Sequence, residues 1–314
     1  MREIVIDSTN QGGRIDKYLL RYMQDSSKGF IYKMLRKKNI TLNGGRANGS
    51  EILEKGDKIT LYLSDETIAK FQKTHIGVYK TVTVCYEDEH LLILNKPSGL
   101  LSQTAEGSTD SLICRVRAYL GDGYSPALIN RLDRNTSGLV ICGKNLSSIR
   151  NLHKAQINNE ITKKYLAVVI GTVDKPGILQ NEYEKNRETN TASIIKTFAP
   201  HNETLRDNTK FSNHHSIVTE YEPIKTFSSS ETKKESTLLT LLELTLHTGK
   251  SHQIRLHMQS IGHPVLGDAK YGGGKPPMYL HAHKLFFNTS DELAYMNGKT
   301  FEVASEKINK LLGD

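Results

Sequence analysis

Three cysteines in 314 residues are too few and too scattered to staple a fold. Cys85, Cys114 and Cys142 are odd in number and lie in apolar strand-like or helical settings, so they are expected to be reduced core thiols rather than disulfide partners or metal ligands. Apolar runs of membrane-spanning length are also missing, as are a basic amphipathic helix and a lipidation signal. The segment Met1-Arg2-Glu3-Ile4-Val5-Ile6-Asp7 is too short and too charged for a secretory signal. No His-Glu-x-x-His and no paired cysteines accompany His252, His257 and His263, and His214 and His215 have no partner spacing, which argues against a metal centre. These absences lead to the expectation of a cytoplasmic protein with no membrane contact and no bound metal.

What the chain does have is length and positive charge. At 314 residues it can bury a full core and form two domains. Its formal net charge of +8 and pI near 9.1 point to a polyanionic partner. The charge is unevenly spread: between Gly12 and Leu63 there are 11 Lys and Arg against 5 Asp and Glu, so most of the excess sits in one small segment.

That segment reads as a domain over 12–63. Ile15, Tyr18, Leu19, Tyr22 and Met23 recur at the spacing of one helix face, and Phe30, Ile31, Met34 and Leu35 repeat the pattern in a second helix. Ile40-Thr41-Leu42, an Asn43-Gly44 turn and a strand over 58–63 follow. Lys33, Arg36, Lys37 and Lys38 cluster at the end of the second helix, where they complement its dipole. They suit either a solvated helix end or a face that tracks phosphates without reading sequence. A polar linker, partly helical by its charge spacing, covers 64–80.

The main domain is placed at 81–305. It opens with a hairpin, Thr81–Tyr86 returning in Leu91–Asn95. A helix follows, capped by Ser108-Thr109-Asp110, with Leu112, Val116 and Tyr119 in register. Leu146, Ile149, Leu152 and Ile157 predict a helix behind the sheet, and Lys163–Gly171 a strand. Residues 200–235 read as polar loops around one strand, Ile217–Tyr221. Near the end, Leu244-Thr245-Leu246 leads through Gly249 into a helix capped by Ser251, with Ile254, Met258 and Ile261 as its buried stripe.

The most informative run is Asn130-Arg131-Leu132-Asp133-Arg134-Asn135-Thr136-Ser137-Gly138-Leu139-Val140-Ile141. It sets one carboxylate between two guanidiniums, an environment that favours a charged side chain fit to act as nucleophile or base without a metal. Four turn formers then lead into a buried-strand composition, which puts Asp133 on a loop entering a sheet. By residue type alone, a surface Arg-Asp-Arg cluster fits as well.

The run resembles the signature of the RluA-type pseudouridine synthases, His-Arg-Leu-Asp-Arg-Asp-Thr-Ser-Gly-Leu, with Asn130 and Asn135 as the two departures. The resemblance implies that Asp133 is catalytic and that Arg131 fills the space left by a flipped base. Lys96-Pro97-Ser98-Gly99 is similar to the family's strand-to-loop element beside the active site. Lys163 and Tyr165 match its Lys-x-Tyr, which implies stacking on the base and proton transfer at C5, although a strand tyrosine is also an ordinary core residue. Thr248-Gly249-Lys250-Ser251-His252-Gln253-Ile254-Arg255-Leu256-His257 resembles the family's Thr-Gly-Arg-x-His-Gln-Ile-Arg-x-His, in which the second Arg pairs with the catalytic Asp. That role falls to Arg255, and Lys250 replaces a planar fork by a point charge. Lys250, His252 and Gln253, with Lys96, Lys163 and Arg131, are the implied substrate-binding residues.

The first domain looks like an S4 domain, opening at Arg14-Ile15-Asp16-Lys17-Tyr18-Leu19, and its implied RNA contacts are Arg14, Lys17, Lys33, Arg36, Lys37 and Lys38. The implied fold is α+β, an S4-type domain followed by a catalytic domain whose largely antiparallel mixed sheet is flanked by helices. The implied reaction breaks the N1–C1′ bond of uridine and joins C5 to C1′, with Asp133 attacking at C1′ or C6. As an isomerisation it needs no cofactor. Large-subunit ribosomal RNA is the first expected target and transfer RNA the second, with a monomeric enzyme and no obligate protein partner. Two other classes compete: an S4-bearing RNA-binding or ribosome-assembly factor without catalysis, and a glycoside hydrolase with an aspartate nucleophile. The hydrolase would need a second carboxylic acid, and none lies near Asp133 in sequence.

Overall fold

A computed structural model describes residues 1–7, 10–23, 25–71, 81–104, 110–121, 126–186, 191–197, 216–229, 237–275 and 277–313. Its contacts divide the chain into two compact units, one of Met1–Ile93, Gln103–Ile129 and Ile141–Lys154, the other of Leu94–Ser102, Asn130–Val140 and Ala155–Asp314.

The first unit begins with β1 (Arg2–Val5), α1 (Ile15–Tyr22), α2 (Lys28–Arg36), β2 (Ile40–Leu42), β3 (Gly45–Arg46), β4 (Lys58–Leu61) and α3 (Asp65–Phe71). Its strands form an antiparallel sheet in the order β1-β4-β2-β3. The two predicted helix faces pack on this sheet: Ile15, Leu19, Met23, Ile31 and Leu35 are fully buried with Ile40, Ile59 and Leu61. Each contributes roughly 1.5–3 kcal/mol of apolar burial. The Ser27 hydroxyl caps α2 by accepting from Phe30 N. Asn43 and Gly44 both take positive φ, 51° and 74°, as a tight turn between twisted strands demands. Strand β1 carries only a weak apolar signal and was not expected; it pairs along β4 with Ile4 opposite Ile59.

The same unit contains β5 (Thr83–Glu87), the start of β6 (Leu91–Lys96), α4 (Leu112–Leu120), β7 (Ala127–Leu128), the end of β8 (Ser137–Gly143) and most of α5 (Leu146–Ile157). Four expectations fail here. Ser111, not the preceding triplet, caps α4 by accepting from Cys114 N; Asp110 instead binds Arg115, and Ser108 and Thr109 lie outside the described residues. Tyr119 is exposed and donates to Glu87. Ile157 is exposed because five residues past Leu152 turn it about 140° away from the buried face. Cys142 is buried and Cys114 half-buried, but Cys85 is exposed, since Val84 and Tyr86 take the inward positions of β5.

The second unit adds β9 (Ile161–Ile170), β10 (Gly177–Asn186), β11 (Thr191–Thr197), β12 (Ser216–Ser229), β13 (Thr237–Leu246), α6 (Gln253–Ser260), β14 (Leu280–Phe287), β15 (Thr300–Glu302) and α7 (Glu306–Leu312). Its strands run in the order β11-β10-β12-β13-β9-β14-β8, with β15 beside β14. Neighbours in this order are antiparallel except β14 with β8, so the sheet is mixed and largely antiparallel as expected. Strand β9 is central and sets Tyr165 between Leu244 and Ala282. Strand β12 is far longer than the predicted Ile217–Tyr221. It continues past Pro223, where a bulge accommodates the missing N–H. Strands β10 and β11 were not anticipated. His214 and His215 lie outside the described residues.

Candidate active site

Asp133 sits on the loop before β8, and the surrounding side chains pin that loop from several directions. Ser102 Oγ donates to Leu132 O at 2.6 Å and accepts from Leu132 N at 3.0 Å. Gly99 N donates to Arg134 O at 2.7 Å, Ser98 Oγ to Asn135 O at 2.8 Å, and Thr136 N closes the turn onto Asp133 O at 3.1 Å. Asn130, one of the two departures from the signature, donates to Leu139 O at 3.3 Å. Gly138 has φ of 110°, and a Cβ there would stand 2.2 Å from Ala282 O, so the motif glycine is required where β8 meets β14.

Lys96 belongs to this brace rather than to a substrate surface. Its side chain is fully buried, and its ammonium donates to Pro97 O, Leu100 O and Arg134 O at 2.9, 2.8 and 3.2 Å. Burial draws its pKa down to about 7, against the pull of the Asp133 charge.

The partner of Asp133 comes from α6. Arg255, 9% exposed, donates from Nη1 to Asp133 Oδ2 at 2.8 Å and binds Asp268 through Nε at 2.7 Å and Nη2 at 2.8 Å. Burial works against the guanidinium charge, but the hydrogen bonds it donates to Asp268 and Asp133 outweigh that and raise the pKa above that of ordinary arginine. Asp268 is 1% exposed and also accepts from Lys270 N and Tyr271 N. The side chain of Asp133 is 27% exposed, and its Oδ1 accepts no hydrogen bond among the described residues.

The turn into α6 departs from expectation. Ser251 does not cap the helix; His252 occupies that position at φ of 60°, a left-handed conformation that costs about 1–2 kcal/mol. Gln253 Oε1 accepts from Lys250 N at 3.1 Å and Thr248 Oγ1 at 2.8 Å, while its Nε2 donates to Val218 O and Thr219 Oγ1. All of its hydrogen-bonding capacity ties the turn to β12, which corrects its assignment as a substrate contact. His252 Nε2 lies 3.8 Å from Asp133 Oδ2.

Tyr165 and Lys163 share one face of β9. Both are buried, the phenol pKa being raised by burial and then by the Asp133 charge, so the hydroxyl stays protonated at neutral pH. Burial lowers the Lys163 ammonium to about 8, and it has no hydrogen-bond partner among the described residues. Arg131 is exposed on the loop and Lys250 half-buried. His257 and His263 bond Thr219 and Ile170 O, and no three metal-ligating side chains converge among the described residues. Every side chain of this site belongs to the second unit.

In the first unit, Lys17, Lys33, Arg36, Lys37 and Lys38 are exposed. Arg14 is not available in the same way: its fork binds Asp16 twice at 3.0 Å, and Asp16 is 1% exposed and also accepts from Tyr32 OH. Asp268 and Tyr271 were missed by sequence reasoning. An isolated Asp after Pro264-Val265-Leu266-Gly267 was the available signal, because a carboxylate in apolar company needs a cation.

The family model described as RNA pseudouridylate synthase matches residues 90–260, more than half of the chain, and the S4 domain model matches residues 13–59. The chain belongs to the RNA pseudouridylate synthase family. Among the synthase's relatives, the ribosomal large subunit pseudouridine synthase C of Rickettsia bellii is 32% identical over 286 residues, covering 87% of this chain and 88% of its own. That of Haemophilus influenzae is 29% identical over 301 residues, covering 91% and 87%. Two solved structures share the fold at 20% identity: human RNA pseudouridylate synthase domain containing 1, with a TM-score of 0.51 over 74% of this chain and 95% of its own, and domain containing 4, with 0.52 over 72% and 89%. The synthase is thus an isomerase acting on RNA. No helix among its described residues is long and apolar enough to cross a membrane.

Proposed function

We propose that this synthase isomerises uridines of large-subunit ribosomal RNA in the cytoplasm, with Asp133 as the attacking carboxylate. The observation that carries the residue assignment is the single guanidinium shared between two carboxylates. Asp268 takes two of the Arg255 donors and two backbone N–H groups, whereas Asp133 takes one donor through Oδ2. The charge of Asp133 is therefore the less compensated of the two, and Oδ1 is the oxygen left to attack. Arg255 keeps this side chain oriented. Over the whole reaction the N1–C1′ bond breaks, the base turns, C5 bonds C1′, the C5 proton leaves and N1 takes one up, so neither water nor an electron carrier is consumed. The base must first leave its stack, which costs least in loops and bulges; Arg131, exposed on the loop, suits the vacated space. A phenol held protonated by burial favours Tyr165 as the surface on which the base packs, rather than as acceptor of the C5 proton.

The ribosomal target is supported by relatives that bear that name and align along nearly the whole chain. Mapping pseudouridines in RNA from cells with and without the gene tests it. Specific large-subunit sites should disappear on deletion and return with the wild-type chain but not with Asp133→Asn. Loss confined to transfer RNA would overturn the ribosomal assignment.

A further inference from the structure

Tyr271 touches both side chains whose nitrogens face Asp133 Oδ2, Arg255 and His252, yet it lies in none of the motifs read from the sequence. Its backbone N–H donates to Asp268 Oδ1 at 3.3 Å. The face of its ring lies 5.0 Å from the Arg255 guanidinium carbon, a cation–π distance. Its hydroxyl accepts from Ala192 N of β11 at 3.0 Å and stands 2.9 Å from His252 Nδ1.

The hydroxyl has one proton to give. Among the described residues its two possible acceptors are His252 Nδ1 at 2.9 Å and Ala192 O at 3.5 Å, and the nearer one wins. A neutral imidazole that accepts at Nδ1 carries its proton on Nε2. That nitrogen faces Asp133 Oδ2, the same oxygen that Arg255 holds. We infer that Tyr271 is a positioning residue: its hydroxyl fixes His252 as the Nε2–H tautomer, so that a second N–H besides that of Arg255 is aimed at Asp133 Oδ2. The left-handed backbone at His252 fits this reading, because it is the conformation in which the ring stands between Tyr271 and Asp133. The 3.8 Å separation is longer than a hydrogen bond; catalytic contacts of this kind tighten when substrate binds. The inference rests on Asp133 being the attacking group.

A purely structural role is the competing account, since Tyr271 also packs with Ala192, Ile217 and Leu256. Tyr271→Phe keeps the ring and removes only the hydroxyl. Single-turnover rates at saturating RNA, RNA affinity and a cycle with His252→Gln separate the two accounts. Tyr271→Phe and His252→Gln should each slow the step by about tenfold to a hundredfold with RNA affinity unchanged, and the double variant should be no slower than the slower single variant. Independent, multiplying losses or an unaffected Tyr271→Phe would overturn the inference. Nitrogen NMR of the imidazole in the wild-type chain gives a reading that needs no variant to fold: Nε2–H is expected, and the Nδ1–H tautomer would refute it. Asp133→Asn run alongside separates the failures, because its activity would sink the Asp133 reading, whereas its inactivity with an additive cycle sinks only the role of Tyr271.

Discussion

Lys33, Arg36, Lys37 and Lys38 stand in water at the end of α2, whereas Arg255 is 9% exposed and gives donors to two carboxylates. Both regions use positive charge on an anionic problem, but the physics differs. Solvated cations act additively through counterion release, are screened by salt and are individually replaceable. A buried guanidinium acts through geometry, and its removal leaves Asp268 as an uncompensated charge. The first arrangement suits holding a polyanion of any sequence, the second suits orienting one carboxylate against one atom.

Arg255→Leu should therefore produce the largest effect. Leaving Asp268 buried and unpaired is expected to cost about 3–5 kcal/mol in denaturant unfolding, and turnover should fall by about a hundredfold to a thousandfold or more. Arg255→Lys keeps the charge but cannot serve both carboxylates, so it should fall between. A Lys variant as active and as stable as wild type would show that charge alone suffices, and the contrast would collapse.

Lys163 sharpens the comparison from the other side, as a buried cation without an acceptor among the described residues. Its folded pKa of about 8 is below the ordinary 10.5, so folding favours its neutral form. Above pH 10.5 the group is neutral in both states; as pH falls from there to about 8 the unfolded chain takes up the proton first and stability is lost; below 8 the penalty is constant. Lys163→Met should accordingly stabilise the fold at pH 7 by about 3 kcal/mol, with the advantage shrinking between pH 8 and 10.5. Urea midpoints across that range measure it, and a variant less stable at pH 7 would mean that the ammonium is better satisfied than its surroundings suggest. Activity should fall in the same variant if the lysine is kept for the substrate.

The smallest effect on chemistry is expected from changing Lys33, Arg36, Lys37 and Lys38 together to Gln. Filter binding across a salt series should show the log-affinity slope reduced by roughly 2 to 4, at about 0.7–0.9 for each phosphate no longer neutralised. Single-turnover catalysis on a saturating stem-loop should survive. An unchanged slope would mean that these side chains do not meet RNA, and a catalytic loss larger than that of Arg255→Lys would reverse the comparison.

How far each region was legible follows the same division. The helix faces of Ile15–Met23 and Phe30–Leu35 and the pairing of Arg255 with Asp133 could be read ahead, the first because burial imposes a period, the second because Thr248–His257 resembles the family motif that implies it. Strand β10 was not, since Gln180, Asn181, Glu182 and Glu184 carry the polarity of a loop. Lys96 and Gln253 look like surface side chains in the sequence, but both are buried; Lys96 donates to backbone carbonyls, and Gln253 to Val218 O and the Thr219 hydroxyl. Arg14 looks like an RNA contact, but Asp16 two residues on claims its fork. Asp268 and Tyr271 stand 13 and 16 residues beyond Arg255 with no periodicity to connect them, and only the chain's return past α6 brings them together.

The central claim is that the carboxylate oriented by Arg255 performs the attack. Tritium release from RNA carrying 5-tritiated uridine, measured for Asp133→Asn beside wild type at equal RNA occupancy, tests it most directly. The account predicts no release above background with RNA affinity nearly unchanged, because the nucleophile is gone while the basic surface remains. Release within about tenfold of wild type would contradict it.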